Sequence, residues 1–151
     1  AAVSNRGYYY IPHVIKEIEG ASIDLKFKEK HFVGIDTVHF TPVIEGMQRV
    51  VENTNASIYM RIPEITMCGK TGTAQNPHGE DHSIFMAFAP KEDPKIAISV
   101  YVENSGYGAV WAAPIASLLV EKYLTDSVAD NRKWIEKRML EANLLDPKKV
   151  D

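Results

Sequence analysis

Cysteine is almost absent from this sequence, in which Cys68 is the single example among 151 residues. A lone cysteine can form neither an internal disulfide nor a multi-cysteine metal site. The 17 basic residues are scattered along the chain and the net charge is −3, so no surface favours a polyanion. We therefore exclude a disulfide-rich scaffold and a nucleic-acid partner, and the sequence indicates no cofactor and no metal.

A long apolar run is also missing, because no stretch approaches the roughly 20 residues that a membrane-spanning helix needs. Ala1 opens the chain without an initiator methionine and without the basic-then-apolar pattern of a signal peptide. We interpret the chain as a segment of a longer protein whose membrane anchor lies upstream. Its length and its 45% hydrophobic content predict one globular unit with a core.

Three strand-like segments occupy the middle of the chain, at residues 65–75, 83–89 and 96–102. The second segment is apolar throughout, which predicts a strand at the sheet centre that is buried on both faces. The short polar connection at residues 91–95 favours an antiparallel hairpin between the second and third strands. An earlier alternation of apolar and charged residues at 23–27 predicts a further, half-buried strand.

Three helices are predicted around these strands. The first begins at Thr41 as N-cap and ends at Asn53, and the third follows a capping box at residues 127–130 and runs to about Ala142. The second spans residues 112–123 and is expected to lie on the sheet by one apolar side: Ile115, Leu118, Leu119 and Tyr123. The order of elements predicts an α+β fold, an antiparallel sheet with flanking helices, followed by a frayed tail at 146–151.

The segment at residues 69–75, Gly-Lys-Thr-Gly-Thr-Ala-Gln, is unusual for a strand. Glycine weakens a strand unless a ligand or another backbone comes close, so Gly72 suggests an edge that a substrate approaches. Lys70 offers a charge there, and Thr71 and Thr73 offer hydroxyls on one face. The alternative is a glycine bulge on an edge strand with a solvated lysine. A phosphate-binding loop fails because Glu64 occupies the place of its first glycine.

Lys-Thr-Gly is one of the three motifs of the serine acyl-transfer enzymes that include penicillin-binding proteins and β-lactamases. Over residues 3–125 the chain resembles class B penicillin-binding proteins, most closely those of the penicillin-binding protein 2 type. The resemblance rests on the Lys-Thr-Gly strand and on five further segments in order: 5–13, 33–47, 85–90, 102–104 and 112–116.

This resemblance implies that residues 1–125 are the C-terminal portion of a penicillin-binding/β-lactamase-like transpeptidase fold, with 126–151 as a polar helical extension. By the same resemblance, Lys70 supplies positive potential near the nucleophile. Thr71 and Thr73 bind the carboxylate of a D-alanyl-D-alanine stem or a β-lactam, and the Thr73 backbone N–H donates to the oxyanion. Gly72 lets the substrate lie along the strand.

Two motifs of the family are not in the sequence, since no serine has a lysine three residues later and no Ser-x-Asn occurs. The resemblance therefore implies a parent D,D-transpeptidase, while the chain alone is expected to be inactive. Its uncovered face is expected to cause either self-association or marginal stability. The implied partners of the parent are the peptidoglycan stem peptide, β-lactam antibiotics and cell-wall elongation proteins. Its implied location is the periplasmic side of the bacterial inner membrane.

Other functions for the same fold stay open at this point. A non-catalytic interaction module, a D,D-carboxypeptidase, a β-lactamase or a β-lactam sensor would retain the same strand. His78 and His82 have the offset of two metal ligands on a helix, but Pro77 and Gly79 disfavour a helix there, so we predict a loop beside the active-site strand. His82 lining the cleft edge or orienting that loop is an alternative that stays open. Cys68 is predicted to be a small buried hydrophobe rather than a reactive thiol.

Overall fold

The computed structural model describes residues 1–145, so the tail predicted at 146–151 lies outside the described residues. The chain forms two compact units, one spanning Ala1–Ile44 and the other running from Glu45 onward. Within the described residues, no helix combines the length and the apolar character that crossing a membrane requires.

The first unit contains little regular structure. Strand β1 (Tyr8–Tyr9) pairs antiparallel with β2 (His31–Phe32). The strand predicted at 23–27 is wrong, because Leu25–Phe27 is a 3-10 turn. The Asp24 carboxylate accepts a hydrogen bond from the Lys26 backbone N–H at 3.0 Å, a local turn that competes with extended structure. Leu25 remains 69% exposed, so no buried face rewards the alternating pattern.

Helix α1 (Phe40–Glu52) begins earlier than the predicted cap at Thr41. A 3-10 turn precedes it, and the Asp36 carboxylate caps that turn by accepting from the Val38 N–H at 3.0 Å. The predicted end at Asn53 is confirmed. Along the helix, Ile44 and Val51 are buried as the apolar spacing predicts.

The main sheet confirms the three predicted strands. It consists of β3 (Cys68–Ala74), β4 (His82–Ala89) and β5 (Ile96–Val102), all antiparallel, in the order β3-β4-β5. Phe85, Ala87 and Ala89 of β4 are buried in the core. Met86 points to the opposite face and is 53% exposed, so the prediction that β4 is buried on both faces is wrong at this residue.

Helix α3 (Ala112–Thr125) packs on β4 and β5 as predicted, but through a different side. Leu119 and Tyr123, on the side assigned to the sheet, are 51% and 62% exposed. Small side chains let a helix approach a sheet closely, and here they bring it onto the large ring of Phe85. The residues that enter the core from this helix are Ala112, Ala113, Ala116 and Val120.

The end of the described chain contains helix α4 (Lys133–Glu141), which follows a 3-10 turn at Asp130–Arg132. The predicted capping box is wrong, because the 3-10 turn has no side-chain cap. The Glu121 carboxylate instead accepts from the Ala129 N–H at 3.0 Å. A four-residue helix, α2 (Ser57–Met60), packs against α3. The fold is α+β, with helices flanking an antiparallel sheet, as the sequence predicts.

Candidate active site

The Lys-Thr-Gly motif lies on β3, at the edge of the main sheet. Among the described residues this strand is paired with β4 only, so its other side leaves backbone donors and acceptors unpaired. Such an open edge can add an extended peptide through main-chain hydrogen bonds. The structure therefore places the motif where the sequence predicts an edge for a substrate.

Gly108 reveals which backbone groups of β3 face the open edge. A Cβ built on Gly108 would lie 2.3 Å from the carbonyl oxygen of Ile84 and 2.4 Å from that of Gly72. Both oxygens can lie this near one point only if both carbonyls point into the space between β3 and β4. Gly72 and Ile84, which stand opposite each other, are therefore a hydrogen-bonded pair of the ladder. The ladder alternates, and the backbone groups of Thr71 and Thr73 therefore point away from β4, to the open edge.

The side chains of the motif divide between the two faces of the sheet. Thr71 and Thr73 stand opposite Phe85 and Ser83, and so share one face, as predicted. Lys70 points to the other face and is exposed. Its ammonium donates to the Thr71 carbonyl oxygen at 2.7 Å. Because that oxygen faces the open edge, the positive charge lies at the edge as well.

A short segment, residues 106–111, runs across the β3-β4 pair, and we call it the crossing segment. Ser83 holds it near its start and just beyond its end, because its hydroxyl donates to the Tyr107 carbonyl oxygen at 3.1 Å and accepts from the Ala112 N–H at 3.0 Å. Gly108 touches the backbone of Gly72 and Ile84. Any side chain at position 108 would collide with these backbone atoms, so the position requires glycine.

Sequence reasoning missed Ser83 and Gly108 as parts of this site. Ser83 is fully buried, and a single polar residue at the start of an apolar strand was the available signal for it, since a buried hydroxyl requires partners. Gly108 lies in the Gly-Tyr-Gly at 106–108, which the sequence assigns only to a loop before the closing helix. The requirement for glycine there comes from two strands that are distant in sequence.

The turn between β3 and β4 is held by polar side chains. His82 accepts from the Asn104 N–H through Nδ1 at 3.0 Å, which places the proton of the neutral ring on Nε2. Asn104 in turn accepts from the Asn76 amide at 2.6 Å, and Asp81 accepts from the Asn76 N–H at 3.0 Å. Through the Asn104 contact His82 helps to orient this turn, which is one of the two roles that the sequence leaves open for it. Across residues 1–145 no three His, Cys, Asp or Glu side chains gather as a metal-binding group.

Tight packing supports the strand from beneath. A Cβ at Gly69 would lie 2.3 Å from the Phe85 ring, so glycine allows that ring to fit under the strand. Cys68 is fully buried, which confirms its prediction as a small hydrophobe. The strand edge is therefore mounted on a rigid, close-packed base, which is the arrangement a preorganised binding site needs.

The structure thus places the four residues that the sequence singles out along the open edge of β3, with Lys70 on one face of the sheet and Thr71 and Thr73 on the other. Together they offer a cation, two hydroxyls and an edge N–H to a carboxylate or a developing oxyanion. The serine beside them, Ser83, is buried with its hydroxyl committed to Tyr107 and Ala112. It is not available as a nucleophile.

A sequence model described as the penicillin binding protein transpeptidase domain matches residues 1–121. The peptidoglycan D,D-transpeptidase MrdA of Haemophilus influenzae is 29% identical, with 86% of this chain and 23% of that protein covered. The crystal structure of Pseudomonas aeruginosa PBP2 in complex with WCK 5153 is 30% identical, with a TM-score of 0.66 over 85% of this chain and 29% of that one.

A third similarity joins the chain to a structure that carries a bound drug. Penicillin-binding protein A from Mycobacterium tuberculosis, solved as an imipenem acyl-enzyme complex, is 26% identical, with a TM-score of 0.65 over 82% of this chain and 28% of that one. The chain spans about a quarter of the length of the curated relatives it matches.

Proposed function

Because this chain belongs to the penicillin-binding protein transpeptidase family, we propose that it forms the Lys-Thr-Gly wall of a serine-type peptidoglycan D,D-transpeptidase. The relatives that carry this activity by name are similar along most of the chain. The observation that carries the proposal is the open edge of β3, where the Thr73 N–H has no partner strand among residues 1–145 and the charge of Lys70 lies at the same edge.

Each residue of the motif has a role in the proposed site. The Thr73 N–H donates to the oxyanion that forms when the acyl carbonyl is attacked. Thr71 and Thr73 bind the carboxylate of a D-alanyl-D-alanine stem or of a β-lactam. Gly72 lets the bound backbone lie close to the strand. Lys70 supplies positive potential beside the nucleophile, which lowers the energy of developing negative charge.

The nucleophilic serine and its base are contributed by Ser-x-x-Lys and Ser-x-Asn motifs that this sequence does not contain. Residues 1–125 form the C-terminal portion of the transpeptidase domain in this proposal, and residues 126–151 form an extension. The chain by itself is then inactive, because a carboxylate-binding wall without a nucleophile cannot form an acyl-enzyme.

The proposed partners follow from the same activity. The protein binds peptidoglycan stem peptides and β-lactams, and works beside cell-wall elongation proteins on the periplasmic side of the bacterial inner membrane. Failure of elongation proteins to co-purify with it after cross-linking would contradict that partnership. Resistance to protease added to spheroplasts would contradict that location.

Benzylpenicillin is expected to form a covalent adduct on the natural gene product that contains this chain, and none on the 151-residue chain. A serine acyl-enzyme retains the whole drug, so intact-protein mass spectrometry detects the adduct as one added drug mass. An adduct on the isolated chain would place a nucleophile within these residues. No adduct on either protein would favour a non-catalytic interaction module.

The exposed face of the main sheet is expected to drive self-association of the 151-residue chain. Met86 and Tyr101 are 53% and 51% exposed on neighbouring strands of that face, and exposed apolar patches promote association. We expect light scattering to report a dimer or larger species, and Met86→Lys to shift it toward monomer. Lys95→Glu, an exposed change at the hairpin, serves as control. A monodisperse monomer would contradict the expectation.

A further inference from the structure

Arg138 of α4 contacts the crossing segment directly. Its guanidinium donates to the Val110 carbonyl oxygen at 3.1 Å and lies 4.9 Å from the ring centroid of Trp111. Val110 and Trp111 are the last residues before α3 begins. A planar cation that donates to a carbonyl and also stacks on an indole restrains two adjacent residues at once.

The position of Arg138 is itself set by neighbouring rings. The guanidinium lies 5.3 Å from the ring centroid of Tyr59, on α2. That ring contacts Trp134, one turn earlier on α4, with centroids 5.6 Å apart. Arg138 is half-buried between these groups. These rings restrict the rotamers of the Arg138 side chain, so its hydrogen bond to Val110 costs little further conformational entropy.

The crossing segment connects Arg138 to the Lys-Thr-Gly strand, β3, through backbone hydrogen bonds and a close backbone contact. The Val110 N–H donates to the Tyr107 carbonyl at 2.9 Å, and the Ala113 N–H donates to the Gly108 carbonyl at 2.9 Å. Gly108 rests on the backbone of Gly72. A shift at Val110 therefore moves Gly108, and with it the support for the strand between Thr71 and Thr73.

We propose that Arg138 is a positioning residue that holds the crossing segment against the Lys-Thr-Gly strand and thereby fixes the oxyanion-facing edge. Helix α4 lies beyond the residues matched by the family model, which end at 121. The C-terminal extension thus stabilises the position of the Lys-Thr-Gly strand through Arg138 and the crossing segment. This inference rests on the proposed function and adds a positioning contact to that site.

The test compares Arg138→Met with Lys137→Met in the natural gene product that contains this chain. Lys137 is the matched control, because it is the neighbouring cation on α4, is exposed, and has one ion pair at 3.9 Å. Hydrogen exchange with mass spectrometry follows the amides of residues 106–113, and stopped-flow mixing with a fluorescent penicillin follows acylation. Both are run well below the melting temperature of each variant.

We expect Arg138→Met to raise amide exchange in residues 106–113 about tenfold, because a charge-assisted hydrogen bond is lost. Exchange in β5 should be unchanged, which shows that the sheet is intact. The acylation rate constant should fall about tenfold, because the edge is less well positioned. Lys137→Met should change neither value, and Arg138→Lys should be intermediate because it keeps a donor without the planar stack.

Two results would overturn the inference alone: unchanged exchange in residues 106–113, or increased exchange with an unchanged acylation rate. Acylation of the unsubstituted natural gene product distinguishes these two results from a failure of the proposed function. If that protein forms no adduct with the penicillin, the proposed function fails, and the positioning role of Arg138 in acylation fails with it.

Discussion

Lys70→Met is expected to lower the acylation rate constant of the natural gene product with benzylpenicillin by roughly 100- to 1000-fold, the usual loss when one electrostatic stabiliser leaves a catalytic site. The lysine is exposed and its ammonium lies at the open edge of β3, on the Thr71 carbonyl. Removing it takes away the positive potential that the site offers to negative charge. Stopped-flow acylation with a fluorescent penicillin measures the effect.

The matched control for this change is Lys95→Met. Lys95 is an exposed lysine in the β4-β5 hairpin, paired with Asp93 at 2.5 Å, and exposed pairs contribute little to stability. Both variants should melt close to the natural protein, because neither lysine is buried. An acylation rate within threefold of the natural value for Lys70→Met would remove this residue from the proposed site.

Arg132→Met is expected to lower the free energy of unfolding of the 151-residue chain by about 3–5 kcal/mol, the cost of leaving a buried charge without its partner. Arg132 and Glu121 are 4% and 3% exposed and form an ion pair with 2.8 Å between Nε and Oε2. The same guanidinium donates to the Ser117 hydroxyl at 2.8 Å and to the Arg61 carbonyl. The Arg132 side chain therefore joins the segment after α3 to α3 itself and to the residue that follows α2.

Urea unfolding followed by circular dichroism measures this loss, with Lys133→Met as control. Lys133 is the next residue along the chain, but its pair with Glu136 is exposed, so its loss should cost less than about 1 kcal/mol. The double variant Glu121→Leu/Arg132→Met should recover part of the stability, because no uncompensated charge remains. An Arg132→Met variant as stable as the Lys133→Met control would show that the buried pair contributes nothing.

The ion pair between Arg132 and Glu121 shows that residues after Thr125 are packed into the fold. The polar composition after Thr125 suggests an extension without a specific role, and Arg132 resembles any solvated basic residue in the sequence. Burial of that side chain depends on Glu121, eleven residues earlier, and on a carbonyl at Arg61. No local pattern identifies such partners. The same holds for Arg138, whose contacts lie on α2 and on the crossing segment.

Several elements could be predicted because their causes are local. The strands at 83–89 and 96–102 were found within one residue of their observed bounds, since apolar runs and turn-forming residues lie next to each other in the sequence. The strand predicted at 23–27 failed for the opposite reason. Its alternation is genuine, but Leu25 in the middle of the apolar side stays 69% exposed, and a capped turn is then more stable.

The side of α3 that meets the sheet could not be predicted from hydrophobicity. Leu119 and Tyr123 each have a larger apolar surface than the buried alanines of α3, yet they remain exposed. The distance between helix and sheet decides which residues fit, and the fully buried ring of Phe85 shares that layer with the alanines. Packing volume is a property of the assembled layers, so the sequence of one helix does not contain it.

The sequence by itself determined the α+β class, the three antiparallel strands and the family, because these depend on local periodicity and on a motif of adjacent residues. It also singled out Lys70, Thr71, Gly72 and Thr73. Only the tertiary structure decided that the Thr73 N–H faces an open edge, and that Gly108 and Arg138 support the strand. These features depend on distances between segments far apart in the chain, which only folding brings together.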